Sequence, residues 1–148
     1  MRKLACAGLA VVLASCSGSE KPPEVPRLAL QPILYADVTG NKLYGSGCNF
    51  VASDGGMGAV FLAQAERGII KLADKVISLP VDPASPGLPQ AARERYAGSG
   101  YKASLTRVPG GKSIVNGVVE IFAAHFVLTD ANGVAVYDTK GDAQCKPM

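Results

Sequence analysis

The sequence predicts an all-β domain over residues 29–148, a small antiparallel sandwich or partly closed barrel with at most one short helix. Three observations carry this. Apolar residues recur with a period of two along most of the chain rather than 3.6. Turn-forming clusters interrupt them about every 8–12 residues. Only one short segment carries helix-compatible residues without a strand pattern. Short turns also make sequence neighbours antiparallel, because a parallel pair needs a crossover of a dozen residues or more.

The elements follow in order. Ile33–Val38 and Lys42–Tyr44 read as strands around the turn Thr39-Gly40-Asn41. Cys48–Ala52 and Ala59–Gln64 flank Asp54-Gly55-Gly56-Met57-Gly58, a turn rich in residues that tolerate unusual dihedrals. Ile69–Ala73 and Lys75–Val81 straddle Asp74. A Pro-rich loop, 82–89, leads to the helical candidate Gln90–Tyr96. Tyr101–Val108 is a strand that stops at Pro109-Gly110-Gly111, and Ile114-Val115 reads as strand again. Val118–Thr129 and Val134–Asp138 flank Asp130-Ala131-Asn132-Gly133, whose Asn-Gly pair is the strongest hairpin signal noted. Both faces of Val118–Thr129 are largely apolar, which predicts a central strand or one that serves two layers. With aromatic residues at 6% and no Trp, the core is expected to rest on Val, Ile, Leu and Ala.

Residues 1–16 do not belong to this domain. Met1-Arg2-Lys3 is a positive start, Leu4 to Ala14 is an apolar run, and Leu13-Ala14-Ser15-Cys16 ends in small residues and a cysteine. The run of about 11 residues fits the apolar core of a secretory signal, roughly 7–15 residues, and falls short of the about 20 that span a bilayer. Leu13-Ala14-Ser15-Cys16 resembles the lipobox of bacterial lipoproteins. That resemblance implies cleavage before Cys16, a diacylglycerol on its thiol, and residence in the bacterial cell envelope. Ser17 stands where lipoproteins kept in the inner membrane tend to carry aspartate, so the resemblance implies the outer membrane, facing the periplasm. The expected organisation is a signal peptide over residues 1–15, a lipidated tether over 16–28 and one domain over 29–148. Ser17 to Arg27 is polar and Pro-rich, the composition of an extended spacer.

Cysteine parity then predicts a bond. Cys6 leaves with the signal and Cys16 is acylated, so Cys48 and Cys145 remain. An exported compartment permits disulfides, and two thiols allow one pairing. The other reading, metal ligation, lacks a second ligand pair: there is no Cys-x-x-Cys and only one histidine.

Charge narrows the partners. The chain has 15 basic and 12 acidic residues, net +3. Loss of Arg2 and Lys3 with the leader leaves about +1, which argues against general nucleic-acid binding. One local asymmetry remains: Arg93, Arg95, Lys102, Arg107 and Lys112 face only Glu94 in residues 93–112, with Tyr96 and Tyr101 interleaved. These cations form a candidate patch for an anionic polymer or an acidic protein surface.

Motifs of catalysis are not met. Gly111-Lys112-Ser113 lacks the earlier glycine of a phosphate loop, where Thr106 stands. Gly45-Ser46-Gly47 has Phe50 at the third glycine of a dinucleotide fingerprint. His125, the single histidine, lies mid-strand among apolar neighbours, which predicts a packed structural role over that of a hydrolase base. Turn aspartates 54, 130, 138 and 142 show no calcium-loop spacing. No catalytic residue, metal or cofactor is therefore expected. The expected function is a non-enzymatic binding or scaffold domain, held to the membrane by its lipid and meeting an envelope protein or anionic polymer. The alternatives are a hydrolase using His125 and an inhibitor of lysozyme-like enzymes. The latter is similar in architecture to small membrane-bound lysozyme inhibitors. Their Ser-Gly-x-x-Tyr-type motif is not reproduced, since Tyr101 follows Ser99-Gly100 at once.

Overall fold

The computed structural model describes Gly18 and residues 27–147. The expected signal peptide, Cys16 and most of the tether lie outside the described residues. The domain is one antiparallel sheet. Its strands are β1 (Gly47–Ala52), β2 (Phe61–Gln64), β3 (Arg67–Leu72), β4 (Lys75–Pro80), β5 (Arg95–Gly98), β6 (Tyr101–Arg107), β7 (Ser113–Asn116), β8 (Val119–Thr129) and β9 (Ala135–Lys146). They run in the order β4-β3-β2-β1-β9-β8-β6-β5, with β7 also on β8.

This path nearly closes, so of the two expected architectures the chain adopts the barrel. At the seam Val81 bridges Tyr96, and the Asp82 amide donates to the Arg95 carbonyl at 3.0 Å. A full ladder is blocked there because Pro80 has no N–H to give. β6 and β7 lie end to end along one edge of β8. β6 pairs residues 124–129 of β8 and β7 pairs 119–122. The turn between them stays attached through the Val108 amide, which donates to the Ala123 carbonyl at 2.9 Å.

Alternation decides what fills the barrel. Inward positions of β8 are Phe122, Ala124, Phe126 and Leu128, all buried. Phe126 is the hub: its ring stacks on Phe61 at 4.5 Å and meets Phe50 at 5.4 Å and Tyr137 at 5.8 Å. All four phenylalanines are buried, so the centre of the core is aromatic despite the low aromatic fraction. Rings carry large apolar area, and a few of them fill a small barrel. Gly68 makes room for them, since a Cβ there would meet the Phe61 ring at 2.7 Å and Tyr96 Cγ at 2.9 Å.

Both ends of the barrel are covered. At one end the extended segment 28–33 crosses from β9 to β3. The Leu28 amide donates to Val136, Gln31 to Lys71 and Ile33 to Ala59, and Leu28 and Leu30 pack on the core. At the other end the connection from β4 to β5 crosses over β1 and β9, inserting Leu88 and Ala92 into the core.

Three expectations are corrected. Neither Ile33–Val38 nor Lys42–Tyr44 is a strand: α1 (Tyr35–Asn41) forms there, and Lys42–Tyr44 is the connection from α1 towards β1. Asp37 Oδ2 accepts the Leu34 amide at 2.8 Å, satisfying an N-terminal donor. Val38 packs with Ile33, Ala59 and Val76 on Leu43, Leu62 and Ile69, a second small core outside the barrel. Packing of the partly buried Val38 on this core overrides a β-favouring composition. The helical candidate Gln90–Tyr96 is also replaced. Pro89–Ala92 closes a single tight turn, the Ala92 amide donating to the Pro89 carbonyl at 3.3 Å around left-handed Gln90 and Ala91, and β5 takes Tyr96 inward. Finally, β9 runs eight residues past Asp138 to Lys146. Its later half is polar outside, but Thr139, Ala143 and Cys145 face inward, and β1 and β8 satisfy its two edges.

Candidate functional site

The covered end beside Lys146 carries a cleft of about 450 Å3. One wall comes from the loop between α1 and β1. Leu43 buries itself under the helix, which leaves Tyr44 outside with 58% of its surface exposed. Gln64, at the end of β2, is 7% exposed and holds this loop in place. Its Nε2 donates to the Leu43 carbonyl at 2.8 Å, and its Oε1 accepts Arg67 Nε at 2.9 Å. Arg67 Nη2 then donates to the Lys42 carbonyl at 3.1 Å. The β2–β3 turn contributes Glu66.

The opposite wall is Gln90 and Ala91, both left-handed at φ of 59° and 62°. Non-glycine residues held there cost on the order of 1–3 kcal/mol each and persist only where the surroundings impose them. Here the Leu88 amide donates to the Ala92 carbonyl at 2.7 Å, and Gln90 Nε2 donates to the Val118 carbonyl at 2.9 Å. Below this wall Cys48 Sγ lies 3.6 Å from the Pro89 carbonyl. Tyr96 supports the floor. Its hydroxyl donates to the Gln64 carbonyl at 2.6 Å and accepts the Arg93 amide at 2.9 Å, and burial pushes the phenol pKa up to about 12. The cleft therefore offers an exposed aromatic ring, a carboxylate, and a guanidinium whose Nε and Nη2 are committed while Nη1 has no partner among the described residues. It has the mixture that orients a polar ligand at the mouth of a barrel.

Cys48 and Cys145 form the disulfide expected from parity. They are directly opposed in β1 and β9, 3.9 Å apart at Cα, and both are buried. Cys16 lies outside the described residues.

The structure brings only some of the five cations together. Arg95 and Lys102 share the outer face of β5 and β6. Arg95 Nε binds Asp82 Oδ2 at 3.1 Å. Arg107 has the opposite parity and lays its guanidinium over the Phe122 ring at 3.9 Å, with Nη1 on Glu120 Oε1 at 2.7 Å. Lys112 pairs with Asp142 at 3.1 Å, and Arg93 Nη1 donates to the Ser85 carbonyl at 3.1 Å. A single five-cation patch is thus not formed, because strand alternation separates the side chains, and carboxylates of β8, β9 and the β4–β5 connection pair with three of them.

His125 is not packed inside. It sits on the outer face of β8 at 36% side-chain exposure, its Nε2 2.6 Å from Asp138 Oδ1. Near-continuous apolarity hid which face of β8 points out. Among the described residues no group of three or more His, Cys, Asp or Glu is placed to hold a metal ion. The mouth has no signature in the sequence, since three separate connections build it and no local motif marks it.

Fold and cleft together define a small capped antiparallel barrel with a polar mouth. No family model matches the chain, nor does any curated protein or solved structure.

Proposed function

We propose that the chain is a lipid-anchored binding domain of the bacterial cell envelope, carried on a diacylglycerol at Cys16, that offers its mouth to an envelope protein or polymer. The observation that carries this reading is the polarity of the barrel. The chain reaches the domain where Leu28 bonds to Val136, at the start of β9, and the mouth lies by Lys146, at its end. Ten residues of strand separate them, roughly 33 Å at the rise of an antiparallel strand. A tether attached at the first end leaves the mouth directed away from the membrane. The strained Gln90–Ala91 pair supports a role for that end, because strain of this sort clusters at functional sites.

Two measurements test it. Membrane fractionation in a Gram-negative host should recover the wild type with the envelope membranes and Cys16→Ser in the soluble fraction. Mass spectrometry should find an acylated Cys16 terminus, and an unmodified terminus from native membranes would sink the anchor. For the mouth, a photo-crosslinking residue at Tyr44 should give discrete adducts in intact cells, while one at Ser53, at the tethered end, should not. Equal labelling from both positions would refute the polarity argument.

A further inference from the structure

We infer that the outer face of β5, β6 and β8 carries a second site, a trough for a small amphiphilic carboxylate with an aliphatic or aromatic body. This is separate from the mouth and does not depend on it. The cavity is about 320 Å3, within the range of small-ligand sites.

Register explains why a hollow exists on what should be a convex wall. Arg95 lies opposite Ser104, which lies opposite Val127. One step along, Ala97 lies opposite Lys102, which lies opposite Thr129. Two long cations thus stand diagonally across a floor of small side chains, Ala97 and Ser104, with Val127 continuing it. The cavity surface is correspondingly more apolar than that of the mouth.

The electrostatics select the sign of the ligand. Arg95 gives only Nε to Asp82, so its two terminal nitrogens have no partner among the described residues. The Lys102 ammonium and the Ser104 hydroxyl have no partner among the described residues. Two cations and one carboxylate leave the rim at +1, with donors on both sides of an apolar floor. A carboxylate between Lys102 and Arg95 would gain charge-assisted hydrogen bonds while its body covers Ala97 and Val127. A neutral apolar molecule would leave those cations unused. An inorganic anion would gain nothing from the floor.

The probes are octanoate, octanol and sulfate, added to the purified soluble domain, residues 17–148, with 15N amide shifts as the readout. Octanoate should give saturable shifts centred on Ala97, Ser104 and Val127. Octanol and sulfate should each bind at least tenfold more weakly. Lys102→Gln should weaken octanoate about tenfold, and Ala97→Trp, which fills the floor, should abolish it. Asp82→Asn should strengthen it severalfold, because a competing carboxylate is removed from Arg95. Equal binding of octanol, shifts that do not saturate, or an Asp82→Asn variant that binds octanoate no better would each overturn the site. Amide spectra of the free variants check that the barrel is intact, and Lys102→Gln changes only an exposed side chain.

Discussion

The Tyr96 hydroxyl, on an inward side chain of β5, donates at 2.6 Å to the carbonyl of Gln64, the last residue of β2. The two strands are not neighbours in the sheet, so this one bond ties the barrel wall to the floor of the mouth. Tyr96→Phe removes the partner of the Gln64 carbonyl and of the Arg93 amide. Leaving buried groups unsatisfied costs about 1–3 kcal/mol. Urea unfolding should show a loss of that size. The same variant tests pH dependence. The folded pKa is about 12 against an ordinary value of 10.0, so the stabilisation is complete below pH 10 and is lost as pH rises towards 12. Wild type should lose stability over that interval more steeply than Tyr96→Phe.

Reduction of Cys48–Cys145 should be costly for a different reason. The bond joins residues 97 apart, and the chain-entropy model assigns a loop near that length about 4–5 kcal/mol. Cys48→Ala with Cys145→Ala should lower the unfolding free energy by about 2–5 kcal/mol, read by denaturant melts. The β1–β9 pairing continues beyond the cysteines to Ala52 and Gly141, so near-native far-ultraviolet dichroism is expected in the folded variant.

Acid should loosen α1. The Leu34 amide, and then the Lys71 ammonium at 2.9 Å, hold the Asp37 carboxyl below its ordinary value. A depressed folded pKa adds stability above the unfolded value, about 4, and loses it as pH falls through the folded one. Asp37→Asn should therefore lower Tm at neutral pH by a few degrees, and the difference from wild type should vanish towards pH 2. A constant difference across that interval would show that charge at Asp37 is immaterial.

What could be read beforehand follows physical locality. Val119–Thr129 announced itself because inward Phe122, Phe126 and Leu128 alternate within one strand. Parity, with the expectation of an exported compartment, was enough to pair Cys48 with Cys145. The misread elements depend on distant partners. α1 contains Val38, Thr39 and Gly40, poor helix formers, and stands because Leu62 and Ile69 of β2 and β3 receive its apolar side. The stretch of β9 beyond Asp138 reads as loop, with Lys140, Gly141 and Asp142 among its residues, until β1 and β8 are seen on either side. Gln90 and Ala91 are ordinary helix-compatible residues, and nothing local foretells their left-handed backbone. The cation cluster was visible as composition, but composition does not say that Arg107 faces the opposite side from Lys102.

The last prediction concerns Gly141, where β9 leaves no room for a side chain beside β1. Gly141 pairs with Ala52 on one side and Ala124 on the other, so it is held by both neighbouring strands. A Cβ built on it would fall 2.1 Å from the Val51 carbonyl oxygen and 3.0 Å from Ala52 Cα. Both are backbone atoms, and no rotamer change can relieve the overlap. Gly141→Ala must therefore push β1 and β9 apart locally, although alanine is otherwise the better-tolerated residue in a strand. Overpacking against side chains costs about 1–3 kcal/mol, and a backbone clash should reach or exceed the top of that range. Gly133→Ala is the control. Gly133 sits at φ of 77° in an open turn with nothing near its Cβ, so only the dihedral penalty of about 1 kcal/mol applies. Thermal melts of the two variants should separate clearly, with Gly141→Ala lower. Equal melting temperatures would mean that β1 and β9 do not approach as closely as described.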